Sequence, residues 1–295
     1  MIRSRFTMVS GVLLLVVGGG IALVSHCARR ALGPAEKYRL FPQSAVITFP
    51  DYLEAGERAF DATLKSRAGL FNGSRFEGAA KAEQAIVRVR ISYDLDEKTG
   101  TVSTSFATGT LIQSGRYVLS VAHAMERARE HQDSIIGIVL CDGRSFQGKR
   151  PSLDHYDPRD TRTDWCLIEI DQPPSSLPSL IVGESTQGEQ LVMGFPGRHG
   201  RSADGTVALD DSTVVQPLRP LHILCRSLDD KTLELLAGCV PLGGISGAPC
   251  TDEHGTLVAI ERGYTESQHD NRTVVTLDVV PTDGVLSALR ALDSK

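Results

Sequence analysis

Gly109-Thr-Leu-Ile-Gln-Ser-Gly-Arg-Tyr-Val-Leu-Ser-Val-Ala-His123-Ala124 decides the fold. Two short apolar runs, 109–112 and 117–121, flank a Gln-Ser-Gly turn. Runs of that length bounded by turn residues read as a tight hairpin of buried strands, too short for helices. The second strand delivers a histidine at its far end.

The same grammar extends both ways. Ala85-Ile-Val-Arg-Val-Arg-Ile-Ser alternates apolar and polar side chains, as a half-buried strand does. Further short apolar runs occupy 135–140, 165–170, 190–194, 257–260 and 273–277. Asp142-Gly143, His254-Gly255 and Asp270-Asn271 punctuate them as turns. The 28 glycines fall mostly between the runs. One terminal helix is expected over 283–292. Many short strands with few helices indicate an all-β domain of sandwich or barrel type.

The chain has 295 residues, 41 % hydrophobic and 23 % charged, enough for a sizeable core. A net charge of −5 offers no global basic surface for nucleic acid. None of the six cysteines forms a C-x-x-C pair, so no structural zinc site is expected. Cys27 lies in the N-terminal segment. The other five are odd in number, so at least one stays free or pairs outside the chain. Buried thiols and a disulfide both fit the pattern.

Residues 6–25 carry no charge and would span about 30 Å as a helix, close to a bilayer's hydrocarbon thickness. They are followed by Ser25-His26-Cys27-Ala28-Arg29-Arg30, which lacks a clean small-x-small cleavage site. The expectation is a signal anchor over 1–30, with a cleaved signal peptide as the alternative. Residues 31–80 read as a spacer with a short amphipathic helix beginning at Asp51. The globular domain is expected over 81–295, outside the cytoplasm.

Two more segments carry chemistry. Thr163-Asp164-Trp-Cys-Leu-Ile-Glu-Ile170 sets an aspartate at the mouth of an apolar strand. Asp154, Asp157 and Asp160 compete nearby, but only Asp164 directly precedes that strand. Gly243-Gly244-Ile245-Ser246-Gly247-Ala248-Pro249 sets a serine in a glycine-rich turn before another strand. Each segment alone reads as an ordinary turn or cap. Together they supply a nucleophile, a base and a carboxylate to orient the base.

The three segments resemble the signatures of trypsin-like serine proteases. The segment 138–149 and the stretch 188–197 are similar to the bacterial high-temperature-requirement (Deg-type) branch. The likeness covers about residues 85–292, in the order His, Asp, Ser. That order excludes subtilisins, and only 49 residues follow Ser246, too few for the rest of an α/β-hydrolase sheet.

The resemblance implies an all-β fold of two six-stranded antiparallel barrels. It implies a serine endopeptidase acting on peptide or protein substrates, with no cofactor or metal. His123 would be the general base, Asp164 its orienting acid and Ser246 the nucleophile. The backbone N–H groups of Gly244 and Ser246 would form the oxyanion hole. An ungapped count from Ser246 places Val240 at the base of the primary pocket, favouring aliphatic residues before the cut. The same count places Ile260, Glu261 and Arg262 along the substrate strand. Ile245 stands where the family usually has Asp or Asn, which excludes activation by a freshly cut N-terminus. No PDZ-type module is expected after the last strand. A protease-fold binding module with weak turnover is the alternative function.

Overall fold

The computed structural model of the protein describes residues 82–96, 101–195, 220–237, 244–269 and 272–294. The expected anchor, the spacer helix, Val240 and the Asp270-Asn271 turn lie outside them.

Six strands form the first sheet: β1 (Ile86–Asp96), β2 (Thr101–Ile112), β3 (Tyr117–Ser120), β4 (Ile135–Leu140), β5 (Ser145–Gly148) and β6 (Cys166–Glu169). Their order is β5-β4-β1-β2-β3-β6, and every pairing is antiparallel. The alternation read in β1 holds residue by residue: Val87, Val89 and Ile91 are buried, while Arg88 and Arg90 are half-buried between them.

A second group of six closes into a barrel in the order β10-β11-β12-β9-β8-β7. It comprises β7 (Glu189–Gly194), β8 (Leu221–Ser227), β9 (Thr232–Ala237), β10 (Pro249–Thr251), β11 (Leu257–His269) and β12 (Arg272–Pro281). Its interior holds Val192, Ile223, Cys225, Leu233, Cys250 and Leu277. Burying a Val, Leu or Ile side chain of this kind contributes about 1.5–3 kcal/mol. A short helix, α1 (Glu126–Glu130), follows the histidine turn, and α2 (Asp283–Asp293) ends the domain where the sequence expects a helix.

The expectation of two closed barrels needs correction. Only the second group closes through strand ladders. The first is a curled sheet whose edges meet at one bridge, Gly148 with Ile170. Two flanking bonds support it, Lys149 N–H to Glu169 O at 2.7 Å and Asp171 N–H to Gln147 O at 2.8 Å. The edge strands β5 and β6 have four residues each, too few for a continuous ladder. Closeness at the seam depends on Gly148, where a Cβ would fall 2.6 Å from Ile168 Cγ2.

Candidate active site

His123 opens a 3₁₀ turn (His123–Met125) three residues past the end of β3. β3 is buried along its length between β2 and β6, which fixes where the turn emerges. Asp164 caps another 3₁₀ turn (Thr161–Thr163) just before β6, the strand next to β3. The competing aspartates do turn work on the surface. Asp157 Oδ1 accepts from Arg159 N–H at 2.9 Å, and Asp160 Oδ1 accepts from Arg162 N–H at 3.1 Å. Asp154 Oδ2 accepts from the Ser152 hydroxyl. Asp164 alone is buried, with 1 % of its side chain exposed.

A buried carboxylate needs donors, and Asp164 has three. Its Oδ1 accepts from the His123 backbone N–H at 2.8 Å. Its Oδ2 lies 2.8 Å from His123 Nδ1 and accepts from Arg262 Nε, also at 2.8 Å. Burial alone would push this carboxyl up. The hydrogen bonds and charge of His123, with the Arg262 guanidinium, outweigh burial and hold it below the usual aspartate range. The carboxylate is therefore ionised at neutral pH and fixes His123 Nδ1 as the protonated nitrogen, leaving Nε2 free to accept.

Ser246 sits between two glycines of positive φ, Gly244 at +102° and Gly247 at +91°. The turn is clamped to the first sheet through Thr108, a fully buried residue of β2. Thr108 N–H donates to Ser246 O at 2.9 Å, and its hydroxyl donates to Gly244 O at 3.0 Å. The same hydroxyl oxygen accepts from Phe195 N–H at 2.9 Å, and Thr108 O accepts from the Ser120 hydroxyl at 2.7 Å. Gly247 packs so closely that a Cβ there would fall 2.1 Å from Thr108 O.

The Ser246 hydroxyl donates to Arg262 O at 3.1 Å. No hydrogen bond joins it to His123 in this arrangement of the described residues. The three sequence-picked residues are still one connected set, because the Arg262 carbonyl holds Ser246 while its side chain holds Asp164.

Of the four substrate-pocket residues expected from sequence, Val240 lies outside the described residues. Ile260 is buried in the hydrophobic core. Glu261 is also buried, inside the second barrel. Its carboxyl is pushed up to about 8 by burial and then by Asp278. A β-bulge between Glu261 and Gly263 sets Arg262 apart and lets its side chain reach Asp164.

Cys141, Cys166, Cys225 and Cys250 are free thiols. Burial pushes Cys141 up to about 11 and raises the other three further, so none supplies a thiolate near neutral pH. Ser246 carries the hydroxyl at the centre of the glycine turn.

Sequence reasoning missed Thr108 and the Arg262 side chain. Thr108 carried one faint signal, a polar residue at the start of an otherwise buried run. Arg262 carried none, since 98 residues separate it from the aspartate it meets.

A closed β-barrel beside a curled six-stranded sheet, with an Asp–His pair and a glycine-flanked serine, defines the chymotrypsin-fold class of serine proteases. A family model described as a trypsin-like peptidase domain matches residues 107–260, just over half the chain, and the protein belongs to that family. No curated protein is similar enough to match it.

Proposed function

We propose that the protein is a serine endopeptidase that cleaves flexible or unfolded polypeptide segments through an acyl-enzyme on Ser246. The observation that carries this reading is the buried Asp164 carboxylate holding His123 by both backbone and ring, with Ser246 tied to the same carboxylate through Arg262.

In this reading the Ser246 hydroxyl leaves the Arg262 carbonyl for His123 Nε2. Catalytic hydrogen bonds are often unmade before substrate binds. His123 takes the proton as Oγ attacks the scissile carbonyl. Asp164 stabilises the imidazolium so formed. The tetrahedral oxyanion is received by the N–H groups of Gly244 and Ser246, and losing one such donor costs about 3 kcal/mol in the barrier. His123 then protonates the leaving amine, and water repeats the sequence to release the acid. None of these steps needs a metal or organic cofactor.

Substrate backbone is taken as an added strand. From Arg262 onward, β11 pairs with β12 on one side and with no strand among the described residues on the other. An open strand edge beside the nucleophile accepts extended peptide through backbone bonds. The primary pocket is assigned to the region of Val240, with aliphatic preference before the cut. The kinship with the Deg-type branch rests on segments 138–149 and 188–197, and Asp142-Gly143-Arg144 does form the turn between β4 and β5. The uncharged run 6–25 supports a membrane-anchored protein with this domain outside the cytoplasm.

The bond from the Ser246 hydroxyl to Arg262 O favours one second reading, a protease-fold module with little turnover. A fluorophosphonate probe on the full chain separates the two. Phosphonylation mapped to Ser246 by mass, and absent from Ser246→Ala, is the expected result. An unlabelled parent, with no turnover of peptide libraries, would select the binding module.

A further inference from the structure

Asp164 Oδ2 has two nitrogen neighbours at 2.8 Å, His123 Nδ1 and Arg262 Nε. The two nitrogens therefore lie within about 5.6 Å of each other, with one oxygen between them. An imidazole and a carboxylate suffice to activate a serine, so the guanidinium is an addition to the relay.

Its presence acts on His123 in two ways with the same sign. It takes a share of the oxygen that would otherwise stabilise an imidazolium. It also sets a permanent positive charge next to the ring. Both oppose protonation of the imidazole, and only the neutral ring can accept the serine proton. Among the described residues, Tyr156, from the loop before Asp164, feels both Asp164 and Arg262, together with Glu126 and Arg129 of α1. Glu126 and Arg129 act on it with opposite sign. Burial and then the nearby Asp164 raise the Tyr156 phenol above its ordinary value, so it adds no charge near neutral pH. Glu261, the preceding residue, is buried within the second barrel. Arg262 is thus the cation that shares His123's carboxylate oxygen.

We propose that Arg262 is a positioning residue, which anchors Asp164 through Oδ2 and keeps His123 in its neutral, base-competent form to lower pH than an imidazole–carboxylate pair alone would allow. This rests on the serine-protease reading of the site.

The test uses the full chain with Arg262→Gln, Arg262→Met and Arg262→Lys. Two quantities are followed from pH 5 to 9. One is the rate of fluorophosphonate labelling at Ser246. The other is the NMR titration of the His123 ring in a Ser246→Ala background, which needs no catalysis. Two unit charges about 6 Å apart at an effective dielectric constant near 40 correspond to a shift of about one pH unit. The acid half-point should therefore rise by about one unit in the Gln and Met variants, in both readouts. Lys, which restores the charge, should bring it back to within about 0.3 unit of the parent. A half-point that stays put or falls in both uncharged variants would overturn the proposal. If the parent takes no label while the ring titration still moves as expected, the Arg262 assignment stands and the protease reading does not.

Discussion

Replacing Asp164 by asparagine probes the site where the most interactions converge. The carboxylate presents acceptors to three donors at once. An amide has one acceptor oxygen and one NH₂, and neither orientation serves all three. With the amide oxygen in the place of Oδ2, the bonds to His123 Nδ1 and Arg262 Nε survive, but the NH₂ faces the His123 backbone N–H. The reverse orientation sets the NH₂ against both side chains. The better choice still leaves a buried N–H unsatisfied, at about 1–3 kcal/mol. The Arg262 guanidinium loses its charge partner; because 28 % of that side chain is exposed, screening limits this loss to about 1 kcal/mol.

The sum, about 3 kcal/mol, would move a urea midpoint by about 1.5 M at a slope near 2 kcal/mol per M. The labelling rate at Ser246 should fall by about 10⁴, because a neutral amide does not stabilise the imidazolium that forms when His123 takes the serine proton. The stability difference should also depend on pH. The native Asp164 carboxyl is held below its ordinary value, so its contribution is full above about pH 4 and fades as pH falls through the depressed native value. Parent and variant should converge in acid. Urea unfolding followed by Trp165 fluorescence, with labelling kinetics alongside, measures all three. A variant with the parent's midpoint and labelling rate would refute the assignment of Asp164.

Two other outcomes follow from the packing. Gly247→Ala adds a Cβ 2.1 Å from Thr108 O at a φ of +91°, so it should lower stability by at least about 2 kcal/mol and abolish labelling; unchanged unfolding and labelling would show that the nucleophile turn is not clamped to the first sheet. Glu261 bears on the second barrel. Its carboxyl ionises near 4.3 when unfolded but is pushed up to about 8 in the native protein, so the native state holds an extra proton between those values and stability falls as pH rises through that window. Glu261→Gln should flatten that fall, unfolding within about 1 kcal/mol of the parent at pH 5 and about 3 kcal/mol later at pH 8. Identical pH slopes in urea titrations would contradict it.

Much of this architecture was legible because it rests on short-range pattern. The hairpin ending at His123, the strand after Asp164 and the Gly-x-Ser-Gly turn each declare themselves within about fifteen residues. The Asp142-Gly143 and His254-Gly255 turns formed, with both glycines at positive φ. Strands β8 and β9 went unread, although Leu233 and Leu235 alternate with Glu234 and a tight turn precedes them, where Asp229 Oδ1 accepts from Lys231 N–H. β2 also starts eight residues earlier than its apolar run, because Thr101–Phe106 is polar but rich in β-forming residues.

What the sequence concealed depends on long-range placement. Strand alternation cannot foresee the bulge at Arg262 or the aspartate it meets. Nor can it show that one threonine, Thr108, would join the nucleophile turn, Phe195 and Ser120. Incomplete closure of the first sheet was hidden likewise, since the resemblance supplies strand number but not the length of each edge.

Cleavage of unfolded casein by the full-length protein, beside its Ser246→Ala variant, tests the central claim most directly. Fragments from the parent alone are the expected result and would establish both the proteolysis and its nucleophile. Equal fragmentation by both proteins, or none by a parent whose Ser246 also resists fluorophosphonate, would contradict it.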